Sequence, residues 1–415
     1  LGDYEPYLYK TKDYGKTWTK ITTGIPDTYF TRVVRADPER EGLLYAGTER
    51  GMFVSFDDGA SWKPFQMNLP VVPITDLTIK DNNLIAATQG RSFWMLDDLT
   101  LLHQLSDEVA NKSVHLFKPM DAYRLMGSGS SFRRFGGGGG NDLSLRYGTN
   151  APAGQVIYFN MKEAPPADEK VSIEILDSEG NSIKTFPQRD LKAGLNSFNW
   201  DMRSEGPEGF EGLIMWAASV RGPGPMYPTG EYTARLKVGD EVQETTFNLI
   251  KDPRYGSTDA DIKAQFDFLT TVTAKVTEMH RAIKDIREAR KQMNDLMAKI
   301  KGKEQYKDVV EEGKELMAKM TEVEEALYQT KNESGQDPLN FPIRLNNKLA
   351  ALLGVAGSGE WRPTKQSEDV RVELTEQIDA ELAKLRTIMN NDLPAFNNLV
   401  KEKSVDYIVI KKRDN

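Results

Sequence analysis

Ser55-Phe56-Asp57-Asp58-Gly59-Ala60-Ser61-Trp62 reads Ser-x-Asp-x-Gly-x-x-Trp, and Thr11-Lys12-Asp13-Tyr14-Gly15-Lys16-Thr17-Trp18 repeats the frame upstream. The two aspartates lie 44 positions apart. Self-similarity at that period, with a strand-turn-strand unit in each copy, is the pattern of a propeller blade. Each position has a physical task. The aspartate carboxylate accepts backbone N–H groups that no strand ladder satisfies. Glycine supplies positive φ. The tryptophan ring packs beside the turn, and the serine or threonine hydroxyl bonds the same loop.

The flanking sequence fits this reading. Residues 7–10, 31–35, 43–47 and 51–55 are short β-rich runs, and Asp37-Pro38-Glu39-Arg40 is a turn. Residues 73–79 and 83–87 give two more strands. They lead into Thr88-Gln89-Gly90-Arg91-Ser92-Phe93-Trp94-Met95-Leu96-Asp97-Asp98.

The two frames resemble the Asp-box, or BNR, repeat of sialidase-like and sortilin-like β-propellers. The resemblance implies that Thr11, Asp13, Gly15 and Trp18, and likewise Ser55, Asp57, Gly59 and Trp62, are structural turns at a blade rim, away from any central site. The 88–98 run looks like the degenerate final blade of large bacterial, Bacteroidetes-type BNR proteins known as glycosyl hydrolases. Two readings of it stand side by side. In one, Arg91 and Trp94 contact a ligand or partner; in the other, Arg91 pairs with Asp97 or Asp98 and Trp94 is core. Two or three blades do not close a propeller, so the expectation is that residues 1–118 are the last blades of a longer protein.

Residues 119–253 are expected to form a second domain. Its Gly-rich loop, 127–141, carries Arg133 and Arg134 between phenylalanines, as candidate partner contacts or as a loop over a seam. Alternating strands at 156–159, 171–176, 183–186, 230–238 and 242–249, with turn signals between them, give a β-sandwich. The Gly194-Leu195-Asn196-Ser197-Phe198-Asn199-Trp200-Asp201 run and the Gly230-Glu231-Tyr232-Thr233-Ala234-Arg235-Leu236 run are similar to the Ig-like domain of flagellar hook-capping proteins, which implies a spacer or interaction module. Residues 206–228, rich in proline, read as a long surface loop pinned by Met215-Trp216.

Residues 254–415 change character. Thr258-Asp259-Ala260-Asp261 reads as a capping box. Apolar residues from Ile262 to Ile300 recur at helical spacing, and Lys301-Gly302-Lys303 ends that helix. A second stripe, Val309 to Leu327, packs back antiparallel. A shorter helix spans 339–353 and ends at Gly354, and a third stripe spans 370–399 with Pro394 as a kink or cap. Residues 405–411 read as a closing strand. The fold class is therefore multidomain: partial β-propeller blades, an Ig-like β-sandwich, and an α-helical bundle with long antiparallel helices.

Composition narrows the function. The net charge of -8 argues against a phosphate-backbone binder, so no nucleic-acid partner is expected. With no cysteine, there is neither a disulfide framework nor a thiolate metal site. No apolar run approaches the roughly 20 residues of a transmembrane helix. The three histidines, His103, His115 and His280, lack metal-ligand spacing, and no nucleophile-elbow, Rossmann or Walker pattern occurs. No catalytic, cofactor or metal residue is assigned. Asp57, Asp58, Asp97 and Asp98 are the candidate carboxylates for sugar hydrolysis. The family resemblance implies an exported protein (periplasmic, outer-surface or extracellular). The expected function is non-catalytic binding of a protein, glycan or peptide within an assembly, or contact with upstream propeller blades. The alternative is a glycoside hydrolase whose active site lies upstream.

Overall fold

The computed structural model describes residues 2–125 and 152–405. The 127–141 loop with Arg133 and Arg134 lies outside them, as do residues 406–411 of the expected closing strand. The chain divides into two units that interleave in sequence: residues 1–201 with 230–250, and residues 202–229 with 251–415.

In the first unit, β1 (Tyr9–Lys10) and β2 (Thr19–Lys20) form a short antiparallel hairpin around the first frame. A four-stranded antiparallel meander follows: β3 (Thr31–Ala36), β4 (Leu44–Thr48), β5 (Gly51–Ser55) and β6 (Lys63–Pro64). The second frame joins β5 to β6. A three-stranded antiparallel sheet comes next, from β7 (Ile74–Lys80), β8 (Asn83–Thr88) and β9 (Phe93–Leu96). Val33, Tyr45, Met52, Ile74, Leu77 and Leu84 share one apolar core between these last two sheets. Two one-turn helices follow, α1 (Thr100–Gln104) and α2 (Asp107–Asn111). α2 is capped by Ser106, whose hydroxyl accepts the Val109 N–H.

The strand β10 (Val114–Leu116) departs from the expected boundary. Residues 114–119 read as the exit of the first domain. Instead, β10 pairs antiparallel with β12 (Gln155–Met161), which pairs with β15 (Gly194–Trp200). The other sheet runs β11 (Ala122–Arg124), β17 (Glu241–Lys251), β16 (Gly230–Val238), β13 (Val171–Leu176) and β14 (Ser182–Pro187). Trp200 of the first sheet packs on Tyr232 and Phe247 of the second at ring-centroid distances of 5.6 and 6.2 Å. The Gln243 side chain also bridges them: its Oε1 accepts the Leu116 N–H at 2.8 Å, and its Nε2 donates to the Val114 carbonyl at 3.0 Å.

The second unit is built on α3 (Asp259–Ile300), whose 42 residues span about 63 Å at 1.5 Å per residue. Its start is a true capping box: Thr258 accepts the Asp261 N–H, and the Asp261 carboxylate accepts the Thr258 N–H. α4 (Lys307–Leu327), α5 (Leu345–Ala356) and α6 (Lys365–Thr387) surround it. Val276, Ile283, Val309, Met320, Leu349 and Ile378 are buried in their common core. The third stripe is not one helix. A π-helical turn, Ile388–Asp392, separates α6 from α7 (Leu393–Glu402). Pro394 lacks an N–H and its ring crowds the carbonyl four residues back, so the regular ladder cannot pass through it. The short helix α5 starts later than the 339–353 reading and passes through Gly354. A separate 3-10 turn at Asp337–Leu339 precedes it.

Residues 206–228 form no surface loop on the sandwich. They belong to the helical unit. Val220 is buried in the helical core, and Phe210, Leu213 and Met215 pack against that core. Asn347 clamps the segment with two bonds to Trp216: the backbone N–H donates to Oδ1 at 2.7 Å, and Nδ2 donates to the carbonyl at 2.9 Å. Met215 thus anchors by packing. Trp216 anchors through its backbone, with the residue 40% exposed.

Candidate functional site

The two frames have the same hydrogen-bonding geometry. In the second, the Ser55 hydroxyl donates to Asp57 Oδ1 at 2.7 Å and accepts the Gly59 N–H at 2.9 Å. Asp57 also takes the Ser61 N–H at 2.9 Å and the Ser61 hydroxyl at 2.5 Å. In the first, Thr11 donates to Asp13 at 2.9 Å and accepts the Gly15 N–H at 2.8 Å. Asp13 takes the Thr17 N–H at 2.8 Å and its hydroxyl at 2.7 Å. Two successive left-handed residues turn each loop: Tyr14 and Gly15 at φ 58° and 88°, Asp58 and Gly59 at 60° and 86°. These donors hold the Asp57 carboxyl below its usual range, and Asp13 down to about 2. Both carboxylates are ionised turn locks. Asp58 is committed too, since it pairs with the Lys10 ammonium.

The tryptophans differ. Trp62 is 3% exposed, among Leu8, Ile25, Ala46 and Phe53. Its indole N–H donates to the Ile21 carbonyl at 2.7 Å. Trp18 is 59% exposed, and its indole N–H turns back to the Gly15 carbonyl at 3.1 Å.

In the 88–98 run, the Trp94 indole N–H donates to the Arg91 carbonyl at 2.9 Å, and the half-buried ring packs on the 33–99 core. Arg91 is exposed, and among the described residues it forms no ion pair with Asp97 or Asp98. Asp98 is occupied in the turn before α1, where its Oδ1 takes the Thr100 N–H at 3.0 Å and the Thr100 hydroxyl. Among the described residues Asp97 has no such partner. Burial and the adjacent Asp98 charge push its carboxyl upward.

Asp97 lines a cavity of about 310 Å³ with Asp98, Asp121, Gln155 and Tyr158. Burial, then Asp98 and Asp97, raises the Tyr158 phenol as well. Asp121 takes the Asn248 N–H at 2.8 Å. Gln155 is 2% exposed; its Nε2 donates to the Met120 carbonyl at 2.9 Å and the Val156 carbonyl at 3.0 Å, while its buried Oε1 has no partner among the described residues. Gly154, at φ 122°, lets the cavity wall run close to β15: a Cβ there would lie 2.2 Å from the Trp200 carbonyl oxygen. Sequence reasoning picked out Asp97 and Asp98 but missed Gln155, Tyr158 and Asp121. Nothing in their local spacing marks them, because separate strands and loops bring them together.

A second polar cluster is structural. Asp37 is buried and accepts the Tyr45 hydroxyl at 3.0 Å, with His103 Nε2 at 3.1 Å. It also caps its own turn through the Glu39 and Arg40 N–H groups at 2.9 and 3.0 Å. Among the described residues no three His, Asp or Glu side chains are grouped to hold a metal, and no helix is long and apolar enough to cross a membrane.

No protein-family model matches the chain, and no curated protein sequence matches it. Among solved structures, it is similar to the extracellular domain of a hybrid two-component system from B. thetaiotaomicron, at 9% identity and a TM-score of 0.21 over 60% of this chain and 29% of that one. A chain titled pT26-6p matches at 12% identity and a TM-score of 0.10, over 60% of this chain and 46% of that one. This chain thus spans less than half the length of either. What the molecule shows of itself is a class, a multidomain protein with β-sheet domains followed by a helical domain.

Proposed function

We propose that residues 2–97 are blades of a sortilin-like β-propeller and that the two sheets after them form an Ig-like domain. In this reading the chain is an exported, non-catalytic binding protein of an envelope or extracellular assembly, with Arg91 and Trp94 beside its ligand or partner.

The contrast between Trp18 and Trp62 carries the reading. One turn is built twice, and the second copy seats its indole on the β-unit before it. The first copy has the same turn and, among the described residues, no seat. Tyr7 and Tyr9, stacked 6.5 Å apart, are exposed as well. An exposed aromatic face of this kind marks an interaction surface, and the internal repeat indicates its partner: another β-sheet unit against which the Trp18 ring packs. The occupied carboxylates Asp13, Asp57 and Asp58 favour this over sugar hydrolysis.

Two measurements test it. Anilinonaphthalene sulfonate should bind the chain and lose most of that signal in a Tyr9→Ser/Trp18→Ser variant. Equal signal from both proteins would remove the aromatic face as a docking surface. Chromogenic glycosides should stay intact, and turnover would replace binding with hydrolysis.

A further inference from the structure

We propose that the open edge of β15 is a strand-addition site. It takes an extended segment of a partner protein, antiparallel to β15 and with acidic residues at its C-terminal end. The site lies in the two-sheet domain, and it stands or falls separately from the aromatic face of the first frame.

The four edges of the two sheets are not alike. An edge strand exposes a row of unpaired N–H and C=O groups, and natural proteins blunt such rows with short strands, lysine, proline or bulges. β10 and β11 are three residues long. β14 carries Lys184 and Pro187, and its pairing with β13 shifts register at Ile175/Leu176. β15 has none of these devices. Its seven residues hold no charge and no proline. They pair with β12 in unbroken register, and among the described residues β12 is the only strand beside them. What matches the other side of β15 is a second extended backbone, which meets alternating donors and acceptors with its own.

The side chains at this edge select the strand. Phe198 lies at the rim of the sandwich, where its ring meets Phe186 of β14 at a centroid distance of 4.8 Å. Both residues are half-buried, so an apolar side chain opposite Phe198 finds an aromatic seat. Leu195, on the outer face, is 45% exposed. The Gly194 end is basic. Arg189 and Lys192 are exposed there, with Asp190 the lone acid of the loop. Asn196 holds Lys192 beside the strand: its Oδ1 accepts the Lys192 N–H at 3.2 Å, and its Nδ2 donates to the Lys192 carbonyl at 2.8 Å. β10, β12 and β15 are all antiparallel. A strand added in the same sense brings its C-terminal end to these cations, where carboxylates are attracted. A seven-residue edge buries too little surface to join two copies of this chain, since a stable interface needs roughly 1,000 Å² or more.

Fluorescence anisotropy of the full chain with the labelled peptide acetyl-Thr-Val-Thr-Val-Thr-Glu-Glu-amide tests the site. Saturable binding is expected, and no binding up to about 1 mM overturns the proposal. Replacing the two glutamates with lysines should weaken binding at least fivefold. N-methylation of every second peptide amide, tried in both phases, should abolish binding in at least one phase; binding kept in both overturns backbone pairing. Phe198→Lys puts an inward charge at the edge and should weaken binding at least tenfold. Leu195→Glu lies on the exposed face, spares the core and should weaken it about fivefold by repelling the acidic end. Melting curves show which variants fold, and unchanged binding by a folded variant overturns the site. Hydrogen exchange of residues 195–199 should slow when the peptide is added. Slow exchange without peptide that is lost on dilution assigns the edge to a second copy, and slow exchange at every dilution assigns it to the chain itself. Either result overturns the proposal.

Discussion

Ser55 is 1% exposed and its hydroxyl both donates to Asp57 and accepts from Gly59. Ser55→Ala should cost about 1–2 kcal/mol and speed amide exchange across residues 55–62, measured by mass spectrometry. The two tryptophans should separate more sharply. Trp62→Ala empties a packed site and should cost about 3–5 kcal/mol, whereas Trp18→Ala removes a ring already in water and should stay within about 1 kcal/mol. Denaturation of both variants, followed by exchange in β3 to β6, checks the difference. The frame itself was fully legible in the sequence, because its bonds join residues two to four apart. The fate of each indole was not, since Trp62 finds Ile21 41 residues away.

His280 links residue chemistry to pH. It is fully buried, with Nδ1 2.6 Å from the Glu208 carbonyl oxygen and Nε2 3.3 Å from Asn346 Nδ2. Burial holds its pKa below the ordinary value, and the Lys284 charge adds to this. The folded state therefore resists the proton that the unfolded chain accepts near 6.5. The stabilisation is present in full above about 6.5 and is lost as pH falls from there through the folded value. The melting temperature should drop between pH 7.5 and 5.5, and His280→Gln should flatten that slope. A slope unchanged by the substitution would place the titration elsewhere.

At the scale of elements, the stripes and caps gave the helices their identity and most of their bounds, while buried charge sets how they pack. Glu324 is 1% exposed and meets Arg287 Nε at 2.7 Å and the Arg290 guanidinium. Arg287 also lies over Phe210 and Tyr328, 4.7 and 5.5 Å from their centroids. Glu324→Gln leaves two arginines without their counter-charge and should cost about 3 kcal/mol, seen as a lower melting temperature of the helical unit. Periodicity marks Glu324 as one more polar position on α4; only its partners 34 and 37 residues away reveal it as buried.

At the scale of the molecule, the interleaved path of the chain dominates. A protein cut after residue 253, at the boundary read from composition, keeps β16 and β17 but strips Phe210, Leu213, Met215 and Val220 of their helical seat. It should aggregate on size-exclusion chromatography and be cleaved by protease between 205 and 221. Replacing residues 203–228 with a Gly-Ser linker in that fragment should restore a monodisperse peak. Equal behaviour of the two fragments would show that the segment does not depend on the helices.

The sequence by itself determined the doubled aspartate turn, the hairpins 171–186 and 230–249, and the Thr258 box that opens α3. Each rests on hydrogen bonds or periodicities within one element, where identity and spacing carry the physics. The tertiary structure alone decided which tryptophan is buried, that residues 206–228 pack with the helices, and that Asp97 lines one cavity with Gln155 and Tyr158. Those outcomes depend on partners dozens of residues away, such as Asn347, 131 positions from Trp216. Local composition does not encode which distant atom will meet a buried donor or acceptor.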